Sequence, residues 1–106
     1  LIGQAGDRSN DDIAGLVKSA AQIKPDQVII AEIPKYLRGR KAGEIPNVIS
    51  TCFLENGINE KAIQYADDIL DGIKKSIQYA EQDDLLVLLC LDQKKEAFHY
   101  IENEVV

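Results

Sequence analysis

Apolar residues recur along this chain with two alternating periods, and the alternation predicts its architecture. Ile13, Leu16, Val17, Ala20 and Ala21 fall three and four positions apart, the spacing of one helix face, so residues 10–22 are expected to form a first helix. Ser9 followed three positions later by Asp12 resembles a capping box at its start. The pattern then changes. Val28, Ile29, Ile30 and Ala31 form an unbroken apolar run within residues 26–33, as a parallel strand covered on both faces requires, and Pro34 ends it. A second helix is predicted over residues 42–56, with Ile45, Val48, Ile49, Cys52 and Phe53 on one stripe. Pro46 lies in its first turn, where proline is tolerated, and Gly57 is its stop signal.

Residues 62–66 read as a weak strand. Asp67 and Asp68 open a third helix whose stripe is Ile69, Leu70, Ile73, Ile77 and Ala80, and Gln82-Asp83-Asp84 make a turn. Leu85 to Leu91 is the longest apolar run and the clearest buried strand, after which Asp92 is expected to cap a final helix with Ala97, Ile101 and Val105 on one face. At the other end, Leu1-Ile2-Gly3 reads as the tail of a strand whose opening residues are absent. The 106 residues are therefore expected to be one domain cut from a longer protein. The order βαβαβαβα predicts an α/β fold: a Rossmann-like, three-layer domain with a mostly parallel sheet of at least four strands.

Charge narrows the function classes. Twelve lysines and arginines against 18 aspartates and glutamates give a net charge of -6, which argues against nucleic acid or a membrane surface as partner. The apolar run is too short to span a bilayer, and no charged-then-apolar-then-small pattern marks a signal peptide in these residues. Cys52 and Cys90 fall in apolar elements, as reduced thiols of a cytoplasmic protein do.

Against this acidic background, Lys35, Arg38, Arg40 and Lys41 crowd into seven positions. In an open α/β sheet the turns from strand to helix share the edge where ligands bind, outside the carboxyl ends of the strands. Residues 3–10, 32–40, 66–68 and 92–94 are the turns expected there, each leading to a helix N-terminus that favours an anion. Arg8, Arg38 and Arg40 add guanidinium groups, which hold carboxylates or phosphates through paired hydrogen bonds. Asp7, Glu32 and Glu44 supply the opposite sign, so the edge suits a zwitterion such as an amino acid.

Plainer readings exist for the same residues. Gly6-Asp7-Arg8 is also what an ordinary turn needs, with Gly6 supplying a positive φ, and a basic loop is often a solvated connector. His99 lies in the last helix and reads as structural. There is no glycine-rich phosphate loop ending in Gly-Lys, no metal-ligand spacing and no Ser-His-Asp set, so neither a catalytic residue nor a metal site is expected within these residues.

Four segments together resemble the carboxy-terminal domain of the Mur ligase family: Gly6-Asp7-Arg8, Asp11-Asp12-Ile13, Arg38-Gly39-Arg40 with Gly43-Glu44, and Gln82-Asp83-Asp84-Leu85-Leu86-Val87. The similarity runs from Leu1 to about Asp92, and the arginine-glycine-arginine loop most resembles the cyanophycin synthetases. The resemblance implies an ATP-dependent amide ligase, in which a carboxylate becomes an acyl phosphate and an amine attacks it. It implies that ATP and magnesium are held mainly by a central domain of the same chain, over which this domain closes. It further implies an amino acid, arginine in that branch, as the incoming substrate and a carboxylate or peptide polymer as acceptor. Gly6, Asp7 and Arg8 would face the nucleotide and the central domain, and Glu32, Arg38, Arg40 and Glu44 the substrate. Cell-wall precursor ligases of the family carry Asp-Asn-Pro-Arg where this chain reads Glu32-Ile33-Pro34-Lys35. They carry Gly-Lys-Gly-His-Glu near Cys90-Leu91-Asp92, so a cell-wall ligase is disfavoured. The alternative outside the ligases is a stand-alone α/β binding module without catalysis. A receiver-like signalling domain fits less well, because no acidic pair follows the first strand.

Overall fold

A computed structural model describes residues 1–105. Its elements run α1 (Asn10–Ala21), β1 (Val28–Ala31), α2 (Glu44–Glu55), β2 (Ile63–Ala66), α3 (Ile69–Tyr79) and α4 (Lys94–Tyr100). Single 3₁₀ turns at Pro34–Tyr36 and Glu60–Ala62 connect them, and a π-helical turn, Ile101–Val105, follows α4. Local chemistry sets the boundaries. Ser9 Oγ accepts the Asp12 amide and opens α1, and an Asp68 carboxylate oxygen accepts the Asp71 amide and opens α3. At the far end of α2 the Asn56 side chain donates to the Cys52 carbonyl, and Gly57 turns the chain away with φ +87.

β1 and β2 pair in parallel, from Val28 opposite Ile63 to Ala31 opposite Ala66. All four residues of β1 are buried, and their alternation divides the core in two. Val28 and Ile30 pack with Ile13 and Val17 of α1 and Ile45, Ile49 and Phe53 of α2. Ile29 and Ala31 pack with Ile69 and Ile73 of α3 and Ala97 of α4. Helices therefore cover both faces, and the unbroken apolar run in the sequence has its physical reason. Each of the large side chains buried this way contributes roughly 1.5–3 kcal/mol.

Among the described residues the regular sheet has two strands, fewer than the four or more expected. Of the expected first strand, Ile2 makes an isolated parallel bridge to Ile30. Residues 85–91, expected as the best-buried strand, form no regular strand, and Leu85, Leu86, Val87, Leu89 and Leu91 are exposed. Two bonds explain the difference. The Leu1 ammonium donates to the Val87 carbonyl at 3.0 Å, and the Leu89 amide donates to the Leu1 carbonyl at 3.2 Å. A single rung does not make a ladder. Leu88 and Cys90 pack against the core cluster on the α3 and α4 side, whereas the alternate residues meet no covering helix.

The start of the last helix also differs from expectation. Gln93, not Asp92, is its N-cap, with a left-handed backbone at φ 56. Its side chain serves α3 instead: Oε1 accepts the Leu70 amide at 2.9 Å, and Nε2 donates to Asp68 at 3.3 Å. That double task needs a group that both accepts and donates, which a carboxylate cannot do. Ala97 is buried and Ile101 packs beside it, while the side chain of Val105 lies outside the described residues. Among the described residues no helix is long and apolar enough to cross a membrane.

Candidate functional site

The four turns meet along one edge, each bonded to the next. The Gly6 amide donates to the Tyr36 carbonyl at 2.8 Å, and the Glu32 amide donates to the Ala66 carbonyl at 3.1 Å. Gln93 completes the series through Leu70 and Asp68. Gly6 does not have the positive φ expected of a turn glycine. It is required for a different reason: a Cβ added there would run into the Leu37 carbonyl oxygen, so only glycine allows the first loop to lie against the second.

Arg40 fastens the two loops together. Its Nε donates to the Gly6 carbonyl at 2.9 Å and its Nη2 to the Arg8 carbonyl at 2.7 Å. Its Nη1 donates to Asn10 Oδ1 at 2.8 Å and to Glu44 Oε2 at 3.1 Å. All three guanidinium nitrogens are engaged within the protein, and the side chain is only 17% exposed. Arg40 and Glu44 form an ion pair and hold the edge, while Asp7 and Arg8 remain exposed beside them.

Arg38 is placed differently. The Arg40 amide donates to the Leu37 carbonyl at 3.0 Å across a tight turn whose central residues, Arg38 and Gly39, have φ 52 and φ 87. Positive φ at both positions is the signature of a type I′ turn, where asparagine, aspartate and glycine are the usual occupants. A left-handed arginine there costs on the order of 1–2 kcal/mol. Its guanidinium lies 5.0 Å from the centre of the Tyr36 ring, and the Lys35 ammonium lies 5.6 Å from the same centre. Both side chains are exposed, and among the described residues neither forms an ion pair.

The helix starts are less open to anions than the sequence suggests. Glu32 Oε2 accepts the amide of Gly43, the N-cap of α2, at 2.8 Å, so this chain's own carboxylate meets that helix end. Ser9 does the same for α1, and Asp68 with Gln93 for α3. Beside Glu32, at the carboxyl ends of both strands, a cavity of about 510 Å³ is bounded by Gly43, Pro46, Asn47, Tyr65 and Asp67. Glu32, Arg40 and Glu44 thus shape the edge, and Arg8 and Arg38 are its exposed guanidinium groups.

Compared with protein families, with curated proteins and with solved structures, the chain has no match. Sequence reasoning missed Tyr36 and Asn10. Tyr36 had a signal, as an aromatic side chain set between Lys35 and Arg38; Asn10 had none apart from its place at a helix start. Among the described residues no three His, Cys, Asp or Glu side chains gather closely enough to hold a metal ion. Cys52 and Cys90 are unbridged, and burial pushes both thiols up, which keeps them protonated and poor as nucleophiles.

Asp71 titrates below the usual aspartate range. The Asp67 amide donates to its carboxylate, and Lys75 pairs with it at 3.2 Å. A pKa lowered on folding adds stability above the unfolded value, and that stability is lost as pH falls through the folded value. Because both partners are about one-third exposed, the expected contribution is below about 1 kcal/mol. Thermal melts at pH 7 and pH 3 should show a smaller acid-induced loss in Asp71→Asn than in the wild type.

Proposed function

We propose that this chain is the closing and substrate-binding domain of an ATP-dependent amide ligase similar to the cyanophycin synthetases. The observation that carries the reading is the Arg40 clamp, which makes the Gly6-Asp7-Arg8 loop and the Arg38-Gly39-Arg40 loop one rigid edge. Two of the four segments behind the family resemblance form that edge. A domain that closes on a partner needs such an edge, because an acyl phosphate must be kept from water until the amine arrives.

In this reading the sheet extends to four parallel strands, with residues 85–91 beside residues 1–3 and then β1 and β2. The two bonds of Leu1, to Val87 and from Leu89, have the slanted pattern of a parallel pair about Leu88. The resulting order is that of half a dinucleotide-binding sheet and puts Gly6-Asp7-Arg8 at the point where strand order reverses, the usual ligand crevice. Slow exchange of the Leu89 amide would support the fourth strand, and exchange at the rate of an open loop would remove it.

ATP and magnesium belong mainly to the central domain in this scheme. When bound they supply an activated carboxyl group. From this chain, Arg8 is the exposed guanidinium placed to meet phosphate, with Asp7 beside it, and Arg38 serves the substrate side. Arg40 and Glu44 position both loops, and Glu32 fixes the start of α2. The amino acid taken is arginine, the acceptor is a carboxylate of a peptide polymer, and the compartment is the cytoplasm.

The test is chemical. The intact protein carrying this segment, given ATP, magnesium and acceptor, should form an acyl phosphate that hydroxylamine traps as a hydroxamate. The 106-residue segment alone should form none. Absence of hydroxamate from the intact protein would favour the non-catalytic binding module.

A further inference from the structure

We propose that Arg38, set with Lys35 beside the Tyr36 ring, is an oxyanion receptor that takes a carboxylate or a phosphate. The assignment deepens the ligase reading by naming the ligand chemistry of the edge, yet it rests on charges and backbone that stand apart from catalysis.

Charge balance is the first argument. Of the acidic side chains at this edge, Glu44 is paired with Arg40, Glu32 is bonded to the Gly43 amide, and Asp7 is exposed and, among the described residues, in no ion pair. The helix ends are satisfied by the chain's own groups. Two cations are left within about 6 Å of one ring centre. They repel each other, and among the described residues no carboxylate pairs with either. An arriving oxyanion relieves that repulsion.

Geometry is the second. The Arg38 guanidinium lies 5.0 Å from the ring centre and, among the described residues, takes part in no ion pair, so its N–H donors are free for the two parallel bonds that a carboxylate or phosphate accepts. Tyr36 is itself fixed, because its carbonyl accepts the Gly6 amide and its own amide donates to the Ile33 carbonyl. The platform is therefore part of the clamped edge.

Backbone strain is the third. Arg38 holds φ 52 in a turn that asparagine would occupy with less strain. Such outliers persist where the surroundings enforce them, and they cluster at ligand sites. Among the described residues the Arg38 side chain forms no ion pair, so its unfavourable backbone conformation is not offset by pairing of its charge within the fold.

The experiment is a titration of the 106-residue chain by amide NMR at constant ionic strength, with inorganic phosphate in one arm and succinate in the other. Saturable shifts at residues 35–41 in either arm are expected, and the arm that saturates identifies the source of the oxyanion. Arg38→Asn should weaken that binding at least about tenfold while leaving the melting temperature unchanged or higher. Absence of saturation in both arms overturns the proposal. So does undiminished binding in Arg38→Asn, or a melting temperature lowered by several degrees, which would make Arg38 a structural residue. No nucleotide is turned over in this measurement, so it can succeed where the ligase reading fails, and the reverse.

Discussion

Arg40→Met in the 106-residue chain should lower the unfolding free energy by about 2–4 kcal/mol, since hydrogen bonds to a charged group contribute roughly 1.5–3 kcal/mol each and do not add fully. Four are lost together: those to the carbonyls of Gly6 and Arg8, to Asn10 and to Glu44. For a domain of this size each kcal/mol moves the midpoint by about 4–8 °C, so the melt should fall by about 8–32 °C. A solvated connector would behave otherwise, because exposed loop substitutions shift stability by no more than about 0.5 kcal/mol. Arg40→Lys separates charge from shape. Lysine keeps the cation but replaces the planar fork with a single point of donation, so most of the loss should remain. In an intact ligase the same substitution should reduce catalytic efficiency about ten- to a hundredfold, through displaced loops and not through lost substrate contact.

Gly6→Ala should be comparably damaging although it adds one methyl group. The obstacle is the Leu37 carbonyl, which is backbone and cannot rotate aside, so one loop must move. Moving it strains the Gly6 to Tyr36 bond and displaces the carbonyl that Arg40 Nε grips. Overpacking of this kind costs about 1–3 kcal/mol before the loss of the clamp is added. Gly15→Ala is the matched control. Gly15 lies within α1, has open space where a Cβ would sit, and should become more stable by up to about 1 kcal/mol. Thermal melts of the two variants should therefore shift in opposite directions. A Gly6→Ala melt as high as that of the wild type would mean that the loops are not pressed together.

Much of this architecture was legible because period and burial share a cause. Ile13 and Val17 at helical spacing, and the unbroken run of β1, report faces that helices cover, and those faces are buried. The same reasoning overreached at residues 85–91, because apolar composition reports what a segment could bury, whereas exposure depends on whether a neighbour supplies the covering face. Leu88 found one and Leu85 did not. At the edge, the sequence marked the two loops but not how their arginines divide. Arg38 and Arg40 are two positions apart and chemically identical, and only the φ 52 turn sends one outward and the other across to Gly6 and Asn10. Asn10 and Gln93 were illegible for the same reason, since each acts on a residue distant in sequence.

The reading as a whole is tested most directly by amine-dependent ADP release from the intact protein, followed in the wild type and in Arg40→Lys. The account predicts one ADP per amide formed when arginine is the amine, with the rate about ten- to a hundredfold lower in the variant. ADP release that does not depend on the amine, or an undiminished rate in Arg40→Lys, would contradict it.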